Sequence, residues 1–200
     1  MAGENLRSME MAKSTIHDPV NAFVGVITTD ESLWNPVQNV LSMWGEIDFT
    51  SENVQFDRFT EYYAPEMGKP LIRFWAAFKK LRYPEELVRM KWSCTGIENT
   101  FSVDGKRRIN IDPGYLTEAK VVLMSFKDFS HRIYLTQGVY ADMQLIFRNG
   151  QYTPREWTFA DYKSDEAQRF FLRLRNSYRE RLKMEVQTDF GATAAGNNSD

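Results

Sequence analysis

The densest run of chemically capable side chains in the sequence is Lys127-Asp128-Phe129-Ser130-His131-Arg132. An unshifted imidazole titrates near neutrality, so His131 is the candidate general acid or base, with Asp128 to orient it. Lys127 and Arg132 are the cations that would neutralise an anionic group. Strand alternation extends the cluster. If 131–135 and 139–148 pair across a three-residue loop at Thr136-Gln137-Gly138, Tyr134 faces Tyr140 and Arg132 faces Asp142. One face then carries Arg132, Tyr134, Tyr140, Asp142 and Gln144. The other carries His131, Ile133, Leu135, Val139, Ala141, Met143 and Leu145. Asp112, in Asp112-Pro113-Gly114, adds a carboxylate beside turn amides. The functional reading is a site for an anionic ligand, phosphate- or nucleotide-like: His131 and Asp128 catalytic if there is a reaction, and Lys127, Arg132, Asp142, Asp112 and Tyr134 for binding. The structural reading of the same residues is a cross-strand Arg132–Asp142 ion pair, an Asp128 cap and a His131 donating to a carbonyl.

Other chemistries are poorly served. Gly105-Lys106 lacks the earlier glycine and following hydroxyl of a phosphate-cradling loop. Neither a dinucleotide fingerprint, nor a nucleophile elbow, nor a zinc-protease helix motif occurs. With only His17 and His131, a multi-histidine metal site is excluded; carboxylate ligation of Mg²⁺ has no diagnostic spacing, and no metal ligand is assigned. Cys94 falls on the apolar stripe of a predicted helix, as a small core residue rather than a nucleophile. Two aromatic runs, Phe56–Tyr63 and Trp157–Tyr162, stand for an alternative function: a non-catalytic protein-interaction module presenting exposed rings.

These residues must be held by a mixture of helices and strands. Ala22–Thr28 is a short apolar run suited to a buried strand. Leu33, Val37, Val40, Leu41 and Trp44 recur at helical spacing up to Gly45, with Pro36 either at the start of a shorter helix or kinking a longer one. Pro70 opens a helix through Leu71, Phe74, Trp75, Phe78 and Leu81, and Pro84 another through Leu87, Met90 and Cys94. Residues 107–112 alternate into the 112–114 turn, after which Thr117 caps a helix burying Ala119, Val122, Leu123 and Phe126. The strands at 131–135 and 139–148 are followed by Asn149-Gly150, a hairpin signal because both central residues of that turn need positive φ. A third strand begins near Gln151, and a last helix spans Ser164–Lys183 with Arg169, Arg173 and Arg179 facing away from its apolar stripe. The class is α+β: a mixed sheet with a C-terminal antiparallel meander, covered by helices.

The chain has 200 residues and 23.4 kDa, enough for one well-buried core. Residues 21–183 are expected to form a single domain between tails at 1–20 and 184–200. At 42% hydrophobic and 14% aromatic it is not a disordered chain. It has no apolar run of membrane-spanning length and no N-terminal signal-like segment, and its single cysteine excludes an internal disulfide, so a cytoplasmic location is expected. The net charge of −2 argues against nucleic acid as partner, and basic and aromatic residues do not interleave along a strand. The balance is uneven: residues 1–66 carry three basic and eleven acidic side chains. That leaves an excess of positive charge for the second half, where the candidate anion site lies.

Several segments occur together in one order: Phe23-Val24-Gly25-Val26-Ile27, then Phe59-Thr60-Glu61-Tyr62-Tyr63 with Glu66-Met67-Gly68, then 110–116, 127–135, Gly138-Val139-Tyr140-Ala141, and Trp157-Thr158 with Asp161-Tyr162. In this the chain resembles an uncharacterised prokaryotic domain-of-unknown-function family, the one numbered 4416, over about residues 22–175. The resemblance implies a compact domain. Members are sometimes labelled GTP-binding. The chain departs from the family pattern in having Asp142 for a glutamate, Met124-Ser125-Phe126 for a small threonine-rich run, and Ala160 for a proline.

Overall fold

A computed structural model describes residues 15–195, with side chains through Met184. Its centre is one open sheet of nine strands: β1 (Val20–Thr28), β2 (Ile47–Thr50), β3 (Val54–Gln55), β4 (Ile72–Arg82), β5 (Ile109–Leu116), β6 (Lys120–Ser125), β7 (Ile133–Thr136), β8 (Val139–Arg148) and β9 (Gln151–Pro154). The order across it is β2-β4-β1-β5-β6-β8-β7, with β3 on β4 and β9 on β8. Helices α1 (Trp34–Leu41), α2 (Ala64–Met67) and α3 (Glu86–Thr100) precede β5, and α4 (Asp165–Ala195) closes the chain. The α+β class is as the sequence predicts, but every pairing is antiparallel rather than mixed. Of the expected tails, residues 1–14 and 196–200 lie outside the described residues.

Alternation in β1 shows how the sheet makes two cores. Val20, Ala22, Val24 and Val26 pack under α1 and α3, while Phe23 points to the other side, among Trp75 of β4 and Phe170, Phe171 and Leu174 of α4. Burial on both faces explains two wrong expectations. The predicted helix over 70–81 is strand β4, and the predicted helix after Thr117 is strand β6. A strand covered on both sides reads as a continuous apolar run, and Phe74, Trp75, Ala76, Ala77 and Phe78 imitate helical spacing without being helical. Pro36 lies in the first turn of α1, where its missing N–H would have no helical partner anyway.

Turn chemistry fares better. Asn149 and Gly150 both have positive φ, as the hairpin signal requires. The β7–β8 connection is the same kind of two-residue turn, Gln137-Gly138, rather than three residues, with Thr136 paired to Val139. A bulge at Leu135 restores the expected Tyr134–Tyr140 pairing. A second irregularity, where β8 meets Val121 and Val122, moves Leu145 to the α4 side although Val139 faces α3, correcting the face assignment for that strand.

Candidate functional site

The sheet forks between β5 and β6. β5 pairs with β1 along its whole length, but with β6 only from Gly114 to Leu116. Residues 109–113 therefore turn an unpaired backbone edge toward the gap, and side chains fill it. Glu98 of α3 accepts a hydrogen bond from the Ile111 amide at 2.5 Å. Pro113, two residues on, faces the same side, where its missing N–H takes no bond from the sheet. The predicted 112–114 turn is thus part of a strand, and Asp112 is carried on it rather than beside turn amides.

A charged network grows from this edge. Lys91 of α3 donates to Asp112 Oδ1 at 2.8 Å, and Asn110 donates to Oδ2 at 2.7 Å. Arg107 makes a two-pronged contact with Glu66 of α2 and donates to Asn110 Oδ1. On the α4 side, Arg73 of β4 lies 3.0 Å from Asp161 and donates to the Tyr162 hydroxyl. Burial alone would raise the pKa of Asp112, but the charges of Lys91 and Arg73 and its hydrogen bonds hold it below the ordinary carboxylate value. Glu98 goes the other way: burial pushes it up to about 7 despite Lys91 nearby. Burial likewise raises Tyr63, whose phenol also feels Asp112.

The network reaches solvent at the mouth of the fork. The Asp112 side chain keeps 27% of its exposure. Just after β6, Lys127 reaches across to the loop before α2, donating to the Tyr62 hydroxyl at 2.9 Å with its ammonium 4.6 Å from the ring centroid. That hydrogen bond lowers the Tyr62 pKa. No carboxylate among the described residues lies within 4.0 Å of the Lys127 ammonium. Phe126, its ring 5.4 Å from the Lys91 ammonium, and Trp92, packed on Phe126, flank the opening.

The other predicted residues gather in a second centre. Asp142 is fully buried and accepts from Arg132 Nε at 2.7 Å and from Gln144 at 2.7 Å, while His131 Nε2 lies 3.6 Å from it. Arg132 Nη1 donates to Ser125 Oγ and to the carbonyl of Lys127. His131 stacks on Trp157 at 5.0 Å, so His131 and Arg132 meet at one carboxylate instead of dividing between two faces. Tyr134 packs edge-on against Tyr140 and stays exposed; burial, with Asp128 adding to it, raises the Tyr140 phenol. Of the seven residues singled out, the fork mouth contains Lys127 and Asp112. Arg132, Asp142 and His131 form the neighbouring buried centre, and Asp128 and Tyr134 lie by Tyr140.

The sequence profile of one family, described as a domain of unknown function (DUF4416), matches residues 18–178, and thus both centres. The chain belongs to the DUF4416 family. No curated protein and no solved structure matches it. Within this DUF4416 domain the residues that sequence reasoning missed are Arg73, Lys91, Glu98, Arg107 and Glu66, whereas Tyr62 lies in the Phe56–Tyr63 run already singled out for its rings. A signal existed for two of them. Lys91 and Glu98 stand seven residues apart on the stripe of Leu87, Cys94 and Ile97, where a charge needs a buried partner. The DUF4416 domain has no grouping of three or more His, Cys, Asp or Glu able to hold a metal among its described residues, and no described helix is long and apolar enough to cross a membrane. Cys94 is buried and its thiol is pushed up by burial. In the two aromatic runs most rings are packed; Tyr62 and Phe159 are the large exposed ones among the described residues.

Proposed function

We propose that the fork mouth binds a small anionic ligand of the phosphate or nucleotide kind. The observation that carries this reading is the state of Lys127: an exposed ammonium held by a neutral phenol at the open end of a charged network. An incoming anion can take that ammonium without displacing a carboxylate, and so gains a charge-assisted hydrogen bond at little desolvation cost. Lys91 and Arg107 are balanced by Asp112 and Glu66, so the charge offered to the ligand is that of Lys127. The exposed Tyr62 and Phe126 rings offer faces on which a base or other flat group stacks. Arg132 then serves as a positioning residue, because it fixes the Lys127 carbonyl while its own charge is used by Asp142.

Binding alone is proposed. His131, the proton carrier expected from the sequence, is stacked on Trp157 and lies 3.6 Å from Asp142. Thermal-shift titration with inorganic phosphate, pyrophosphate, AMP and GTP tests the reading. At least one should raise the melting temperature of the wild type, and Lys127→Ala should abolish that shift while Arg173→Ala, in the groove between β2 and α4, keeps it. A shift that survives Lys127→Ala, or none with any of the four, contradicts it.

A further inference from the structure

The strands at the sheet's margins, β2, β3, β7 and β9, are not finished alike. β9 is closed by α4: Gln168 donates to the Tyr152 carbonyl at 2.6 Å and accepts from its amide at 3.2 Å, and the strand ends in Pro154. β2 carries Asp48, which is tied down by Arg181, and Glu46 just precedes it. Such charges, prolines and covers are how proteins keep sheet edges from pairing with other chains. β7 has no charge, proline or cover, only the bulge at Leu135. Its sequence is Ile-Tyr-Leu-Thr, its first three residues are 70%, 58% and 42% exposed, and no side chain among the described residues is hydrogen-bonded to its backbone.

We infer that β7 is a homodimerisation edge, pairing antiparallel with the same strand of a second copy and continuing the sheet across a two-fold axis. An antiparallel pair of identical strands is self-complementary by symmetry. Centred on Tyr134, it sets Tyr134 against its own copy and Ile133 against Leu135, with no charge on either strand to oppose a like charge. The apolar surface is also of the right size. Ile133, Tyr134 and Leu135, with the part-exposed Trp92 and Phe126 beside the hairpin, offer roughly 500 Å² at about 200 Å² per large side chain. A standard interface buries about 800 Å² per partner, and the strand backbones and hairpin turn add to the side-chain area. The inference does not need the ligand, but Trp92 and Phe126 border both surfaces, so Ile133→Lys for the edge and Lys127→Ala for the fork keep the two readings distinguishable.

Sedimentation of the full chain from low to high micromolar concentration tests it. The expected result is a rise from 23.4 kDa toward twice that mass. Ile133→Lys should weaken the dimer at least about tenfold, whereas Met43→Lys, an equally exposed position beside α1, should not. Mass fixed at the monomer value, or a dimer indifferent to Ile133→Lys, overturns the inference. Amide exchange on the wild type gives a reading that needs no variant: amides 133–136 should gain protection as concentration rises, and unchanged exchange overturns it equally.

Discussion

The guanidinium of Arg73 occupies the space that a side chain on Gly25 would need. A Cβ at Gly25 would lie 2.5 Å from Arg73 Nη2 and 2.8 Å from Cζ. The glycine is there for room, because its backbone is ordinary strand: β1 presents a bare patch so that a buried cation can lie over the α4 face of the sheet against Asp161 and Tyr162.

Gly25→Ala should therefore cost about 2–4 kcal/mol, because it overpacks the site and displaces a buried, hydrogen-bonded charge. Urea unfolding measures this. Gly96→Ala is the control: nothing lies within 4 Å of a Cβ there, and the position is helical, so stability should rise by roughly 0.5–1 kcal/mol.

Glu98 should make stability fall as pH rises. Its carboxyl is raised in the fold from an ordinary 4.5 to about 7. The folded state therefore binds the extra proton between those values. The stability this confers is fully present below pH 4.5 and is lost as pH climbs through about 7. The change is of the order of 3 kcal/mol. Glu98→Gln keeps an oxygen for the Ile111 amide and should flatten the profile between pH 5 and 8. A wild-type profile as flat as the variant's would contradict the burial assigned to this carboxyl.

Arg132→Ala should destabilise the fold by about 3–5 kcal/mol, since it leaves Asp142 buried with only Gln144 and His131. The double variant Arg132→Leu with Asp142→Leu should recover part of that loss. Denaturant midpoints of the three proteins distinguish a buried ion pair from an exposed one, for which the single change would cost under about 1 kcal/mol.

Cys94 should be unreactive toward a thiol-specific disulfide reagent in the native protein and react fully in denaturant, because it is buried on α3 with its thiol raised. Stoichiometric labelling of the native state would show that α3 does not pack as described.

How much of this was legible in the sequence depended on whether the signal was local. The turn at Asn149-Gly150 and the nearness of Arg132 to Asp142 follow from short-range rules of φ and strand pairing, and both hold. β4 and β6 were misread because burial on two faces erases the alternation that marks a strand. That error hid Arg73: as a helical residue it would face solvent, whereas in a central strand it needs Gly25 and the Asp161-Tyr162 pair from two distant segments. Arg107 and Glu66, 41 positions apart, meet for the same non-local reason.

The most direct test of the ligand reading is amide chemical-shift mapping of the full chain titrated with pyrophosphate and, separately, GTP. The account predicts saturable shifts at Tyr62, Asp112, Phe126 and Lys127, lost in Lys127→Ala. Shifts confined to the groove of Glu52, Arg169 and Arg173 between β2 and α4, or none at saturating ligand, would contradict it.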